Sequence, residues 1–134
     1  MKIKKRYIIL LIVIVLIVTA FFSVRNMLIS SEQNLNYLMQ EKIANVDLDN
    51  IPDGAYTGTY AASPIEAAVR VTVKDHAITA IEITKHENGR GEPAEAITNT
   101  VIETQNLDVD VISGATYSSK VILKAIENAL NNAQ

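Results

Sequence analysis

Residues 7–24 form an unbroken run without formal charge, dominated by Ile, Leu and Val. Coiled as a helix at 1.5 Å per residue, that run reaches about 27 Å, close to the hydrocarbon thickness of a bilayer. Lys2, Lys4, Lys5 and Arg6 precede it and only Arg25 follows closely. By the positive-inside bias, this flank keeps the N-terminus in the cytoplasm and sends the remainder outside. A cleaved leader is the competing account, because Val18-Thr19-Ala20 resembles a small-residue cleavage site. The length of the run, and its continuation through Phe21-Phe22, favour a retained anchor. The chain has no cysteine. Lipidation of a thiol, disulfides, thiolate metal sites and iron–sulfur ligation are therefore excluded, and the helix itself must do the tethering.

The anchor divides the charge. Residues 1–25 hold five bases and no acids, whereas residues 26–134 hold seven bases and fifteen acids. Clustered Lys and Arg, the requirement for binding a polyanion, are missing from the larger part, which argues against a nucleic-acid partner. The 134 residues leave room for one small domain. The expected division is a cytoplasmic tip and anchor over residues 1–25, a partly helical stalk over 26–52 and a domain over 53–134. Within the stalk, Leu35, Leu38, Met39, Lys42 and Ile43 recur at helical spacing. This segment either lies against the domain or a partner, or lifts the domain off the bilayer; the second is expected.

Pro52-Asp53-Gly54 is a turn signal, and after it Tyr56, Gly58 and Tyr60 alternate with Thr57 and Thr59 as a first strand. Val69, Val71 and Val73 share one face of a second strand; Thr79, Ile81 and Ile83 share one face of a third. A three-residue loop, Asp75-His76-Ala77, pairs Val73 with Thr79, Val71 with Ile81 and Val69 with Ile83. That loop needs a left-handed residue, which His76 or Ala77 must supply. Next comes a polar, glycine-bearing loop, Lys85-His86-Glu87-Asn88-Gly89-Arg90-Gly91-Glu92-Pro93. Pro93 suits the first turn of a helix whose buried face holds Ala94, Ile97, Val101 and Ile102.

The most informative stretch is Asp110-Val111-Ile112-Ser113-Gly114-Ala115-Thr116-Tyr117-Ser118-Ser119. It leads directly into Val121, Ile122, Ala125, Ile126, Ala129 and Leu130, which recur three and four apart and predict an amphipathic helix over residues 117–132. A helix start offers outward N–H groups and a favourable dipole to an anion such as phosphate. The same residues also read as an ordinary helix start, with Ser113 or Thr116 as N-cap and Gly114 in a tight turn. The order strand, strand, strand, helix, turn, helix predicts an α+β fold, a small antiparallel sheet covered by helices and preceded by one transmembrane helix.

Asp110, Ser113, Gly114, Ala115 and Thr116, with Ser118 and Ser119 after them, resemble the flavinylation motif of the FMN-binding domain family. That family occurs in the membrane-anchored electron-transfer subunits of sodium-pumping quinone reductases and Rnf complexes, and in small extracellular flavoproteins. The resemblance covers roughly residues 53–131. It implies FMN joined by a phosphoester to Thr116, installed by a separate FAD-dependent flavin transferase, with Asp110 in the determinant that the transferase reads or in the turn that presents the threonine. It also implies that the segment after the third strand contributes to the flavin pocket, through His86, Gly89 and Gly91. Because that loop is short here, the flavin is expected to be unusually exposed. His86 and Arg90 read equally well as solvated loop residues.

No acid/base pair, activated nucleophile or metal cluster emerges from the sequence, so Thr116 is understood as the acceptor of a modification, and the redox chemistry would belong to the flavin. The implied function is an extracytoplasmic electron carrier, serving membrane or extracellular redox partners rather than acting as an independent enzyme. The alternatives are a noncovalent FMN-binding or sensory module, and a flavin-free membrane-anchored structural or assembly protein. The topology has its own test. Protease added to intact spheroplasts should remove the C-terminal domain, and complete protection until lysis would contradict the assignment.

Overall fold

A computed structural model describes residues 4–87 and 91–133. These fall into two compact units, residues 1–33 and 34–134. The first is the greater part of helix α1, Lys5–Gln40, which is long and apolar enough to cross a membrane. Its hydroxyls are satisfied within the helix: Thr19 Oγ1 donates to the Leu16 carbonyl at 2.9 Å and Ser23 Oγ to that of Thr19 at 2.9 Å. Such internal bonding is what a hydrocarbon surrounding demands.

The second unit is built on an antiparallel sheet of β1 (Gly54–Ala62), β2 (Ile65–Lys74) and β3 (Ala77–Glu87), in that order. The short helix α2 (Ile97–Thr104), entered through a 3-10 turn at Glu92–Ala96, packs on β3, and α3 (Thr116–Asn131) packs on β1 and β2. Pro93 stands at the start of the 3-10 turn, and Ala94, Ile97 and Val101 are buried as their spacing predicts. Val69, Val71 and Val73 line the buried face of β2, whereas the other face is open and polar, with Arg70 paired to Glu82 at 3.0 Å and Lys85 to Glu66 at 3.0 Å.

The β2–β3 hairpin differs from expectation. Lys74 pairs with Ala77, so the loop has two residues, Asp75 and His76, both left-handed with φ of 51° and 61°. This is the backbone of a type I′ turn, whose twist matches that of the strands. Asp53 stabilises it by accepting the Asp75 N–H at 2.8 Å. Val73 consequently faces Ile78, not Thr79, while Val71 opposite Ile81 and Val69 opposite Ile83 hold as expected. Bulges reconcile the two registers, since β3 carries an extra residue at Thr79 and another at Thr84. Each extra threonine turns its hydroxyl to a β2 carbonyl, Thr79 to Thr72 at 3.3 Å and Thr84 to Ala68 at 3.1 Å. At the outer edge of β3, the Gln105 side chain accepts from Ile78 N at 2.7 Å and donates to Ile78 O at 2.9 Å, capping part of an otherwise open edge.

Helix α3 is the centre of the unit. Its predicted stripe is buried, but so are Leu123, Lys124 and Glu127. The reason is a second covering: residues 34–53 pack into the unit and contribute Leu38, Val46 and Ile51 to the core. Lys120 Nζ donates to the carbonyls of Leu38, Met39 and Glu41 at 3.3, 3.0 and 3.1 Å, placing a cation at the C-terminus of α1. Lys124 lies between Glu127 at 2.9 Å and Glu41 at 3.2 Å, and Tyr60 donates its phenolic proton to Glu41 at 2.6 Å. Burial and that carboxylate push the Tyr60 phenol up to about 12. The Tyr60 hydrogen bond, and then Lys124, hold Glu41 below its ordinary value against partial burial. Burial opposes the charge on Lys124, yet its two carboxylate partners together raise its pKa.

On the opposite side, α3 touches the sheet at Gly58. A Cβ there would lie 2.2 Å from the Ala125 carbonyl oxygen and 2.3 Å from Ala129 N, so the two backbones meet where only hydrogen fits. Gly58→Ala should force the helix off the sheet and cost about 1–3 kcal/mol or more. Urea unfolding of residues 34–134 measures this, and an unchanged midpoint would contradict the close packing.

Candidate functional site

The site begins where α2 ends. Gln105 closes α2 in a left-handed conformation, and Leu107 is buried as the anchor of the segment that follows. Along that segment Asp108 and Asp110 are exposed while Val109, Val111 and Ile112 are half-buried. The chain then reverses. Ala115 N donates to the Ile112 carbonyl at 3.0 Å, with Gly114 in the turn at φ 79°. This matches the left-handed third position of a type II turn, which favours glycine. A Cβ on Gly114 would meet nothing within 4 Å, so conformation rather than space selects glycine here.

Helix α3 starts one residue earlier than expected. Ala115 is its N-cap, without a side-chain cap, so neither Ser113 nor Thr116 caps the helix, and Thr116 is its first residue. The support comes instead from Ser119. Its buried hydroxyl accepts the Ile112 N–H at 3.0 Å and donates to the Ala115 carbonyl at 2.9 Å, gripping both ends of the turn. Ser119 N donates to Ala115 O at 2.9 Å as the first bond of the helix. The N–H groups of Thr116, Tyr117 and Ser118 precede that bond and have no acceptor within the helix.

A cleft of about 150 Å³ opens at this end of α3, lined by Ile65, Gly91, Gly114, Ala115, Thr116, Tyr117 and Ser118. Five of the sequence-derived residues, Gly91, Gly114, Ala115, Thr116 and Ser118, thus meet in one place. Asp110 and Ser113 do not join them; they line a different cleft with Thr100 and Thr104 of α2. Gly89 and Arg90 lie outside the described residues.

His86 is not a loop residue. It belongs to β3, its side chain is only 3% exposed, and its Nδ1 is 2.9 Å from Glu95 Oε1 on the 3-10 turn. It does not line the Thr116 cleft. Burial comes from β3 extending through Glu87, which puts His86 opposite Ala67. The glycines and charges around it made the segment read as a loop.

A helix start whose first N–H groups have no acceptor in the helix, together with the Thr116 hydroxyl in the cleft lining, offers donors of the kind that can hold an anion such as phosphate. The volume of the cleft fits a phosphate and the beginning of a chain attached to it. Pockets that enclose a drug-sized molecule run about 300–1,000 Å³, so a tricyclic ring on that chain would lie outside.

Sequence reasoning passed over Ser119 as a site residue, although it stands in the motif, because its two partners become neighbours only when the turn forms. Ser119→Ala strands the Ile112 N–H and should cost about 1–3 kcal/mol. Thermal unfolding should register the loss, and hydrogen exchange at the Ile112 amide should accelerate. Unaltered exchange there would show that the hydroxyl is not what holds the turn.

The chain is 34% identical over 94 residues to the NADH:acrylate oxidoreductase of Vibrio harveyi, a match covering 65% of this chain and 9% of that protein. It is 28% identical over 85 residues to an uncharacterized protein of Treponema pallidum (strain Nichols), covering 61% of this chain and 24% of that one. The chain therefore spans a tenth or less of one relative's length and about a quarter of the other's. Residues 61–131, from the end of β1 to the end of α3, match the FMN-binding domain, and the chain belongs to that family, which is found in sodium-pumping quinone reductase and Rnf-type electron-transfer subunits.

Proposed function

We propose that this protein is a membrane-anchored flavoprotein electron carrier, with its domain outside the cytoplasm and FMN in phosphoester linkage to Thr116. The observation that best supports the linkage is the place of Thr116 itself. It is the first residue of α3, half-buried in a cleft, in a first turn whose N–H groups have no acceptor within the helix. In this reading the Thr116 hydroxyl oxygen forms the ester, and the N–H groups hold the remaining phosphate oxygens. Bound FMN would supply reversible one- and two-electron chemistry.

The other residues have supporting roles. Gly114 and Ser113 shape the turn that presents the threonine, Ala115 seats it in the core, and Ser118 completes the first helical turn. Asp110, exposed on the neighbouring cleft, is available to a flavin transferase. The His86–Glu95 pair ties β3 to the 3-10 turn that Gly91 begins, and so steadies one wall of the cleft. Gly89 would contribute to holding the flavin, as the family resemblance implies.

The basic flank before the apolar helix supports a cytoplasmic N-terminus. A relative named as an NADH:acrylate oxidoreductase is in keeping with electron transfer by the shared segment. The chain would serve membrane or extracellular redox partners as a carrier or subunit, not as an enzyme on its own.

The test is intact-mass spectrometry and peptide mapping after co-expression with a flavin transferase. Wild type should gain the mass of FMN less one water, at Thr116. Thr116→Ala should abolish the adduct with little change in stability, Thr116→Ser should retain part of it, and Asp110→Ala should reduce it. An adduct persisting in Thr116→Ala would refute the residue assignment. Unmodified wild type beside an active transferase would favour noncovalent FMN, or a structural protein without flavin.

A further inference from the structure

We infer that Tyr117 is the surface on which the flavin ring rests, an inference that depends on Thr116 being the attachment residue. Three observations lead to it. The cleft at Thr116, about 150 Å³, takes a phosphate but not the ring, so a tethered ring must settle on whatever the rim provides within reach of its chain. Tyr117 is on that rim, next to the linking residue, and it is the only aromatic side chain among the described residues lining the cleft. Beyond the end of α1, it is also the only large apolar side chain left exposed among the described residues, at 39%.

Helix geometry strengthens the case. Side chains on a helix lean toward its N-terminus, so a tyrosine at the second position of α3 leans over the helix start, where the phosphate would sit. An offset-stacked aromatic pair is favoured roughly two- to tenfold over an unstacked one. The phenol is also an electron donor toward a photoexcited ring. It gives up one electron and takes it back, so no net oxidation occurs, but emission is lost. A ring lying on Tyr117 is therefore both quenched and held still, with its other face open to a redox partner.

The experiment uses the full chain, flavinylated by co-expression with a flavin transferase and purified in detergent. Wild type, Tyr117→Leu, Tyr117→Phe and Tyr117→Trp are compared by intact mass, then by flavin fluorescence yield and anisotropy at equal flavin content. Tyr117→Leu should raise the yield roughly two- to tenfold and lower the anisotropy. Tyr117→Trp, a stacking electron donor, should keep both at wild-type values. Tyr117→Phe stacks but donates poorly, so it should raise the yield while keeping the anisotropy. Yields and anisotropies equal in wild type and Tyr117→Leu, with the adduct present in both, would overturn the role of Tyr117 and leave the attachment intact. Wild type without an adduct would overturn the attachment, and this inference with it.

Discussion

The contact between Gly58 and the backbone of α3 is the constraint on which the domain rests. With hydrogen in place of a side chain, β1 allows the helix to approach until its own backbone touches the sheet at Ala125 and Ala129. The small residues on the helix are part of the same fit. Ala125 and Ala129 are fully buried, and Ile122, Ile126 and Leu130 of the same helix share one core with Val69, Val71 and Val73. Because α3 is rigid over its sixteen residues, fixing its middle against the sheet also fixes the position of its first residue, Thr116.

Burial on both sides makes α3 unusual for so small a domain. The second side is closed by residues 34–53, and the charges needed to close it are internally matched. Lys124 meets two carboxylates, one of which also accepts the Tyr60 hydrogen bond, so the buried charges of Lys124 and Glu127 compensate each other. Lys120, one turn beyond Thr116, binds the carbonyls that end α1. The helix that begins at Thr116 therefore also receives the C-terminal end of α1 within the same unit.

At the turn before α3, support comes from below and openness lies above. Ser119 grips the turn from the core, Gly114 supplies the one left-handed residue, and the N–H groups of the first helical turn face outward. In the proposed reading, a site built this way would hold one end of a long cofactor and leave the other end to the surface, which would suit electron exchange with a partner.

Residue pattern alone sufficed for whatever depends on neighbours in the chain. The apolar run of residues 7–24, the alternation in the three strands, the helical stripe of α3 and the α+β class were legible because periodicity is local, and the Ser113-Gly114-Ala115-Thr116 motif was legible because it is contiguous. Only the tertiary structure decided the rest. The β2–β3 register depended on two bulges, which shift pairing without altering the alternation that pattern reading detects. His86 was buried by a strand that continues through residues whose composition suggests a loop, and its partner Glu95 lies beyond that loop. Lys124 and Glu127 lie outside the apolar stripe that periodicity detects and are buried because their charges meet partners, one of which, Glu41, is distant in sequence and is brought there by the fold. The hydroxyl of Ser119 acquired its role in the same way: its acceptor and donor become adjacent only once the turn closes over the start of α3.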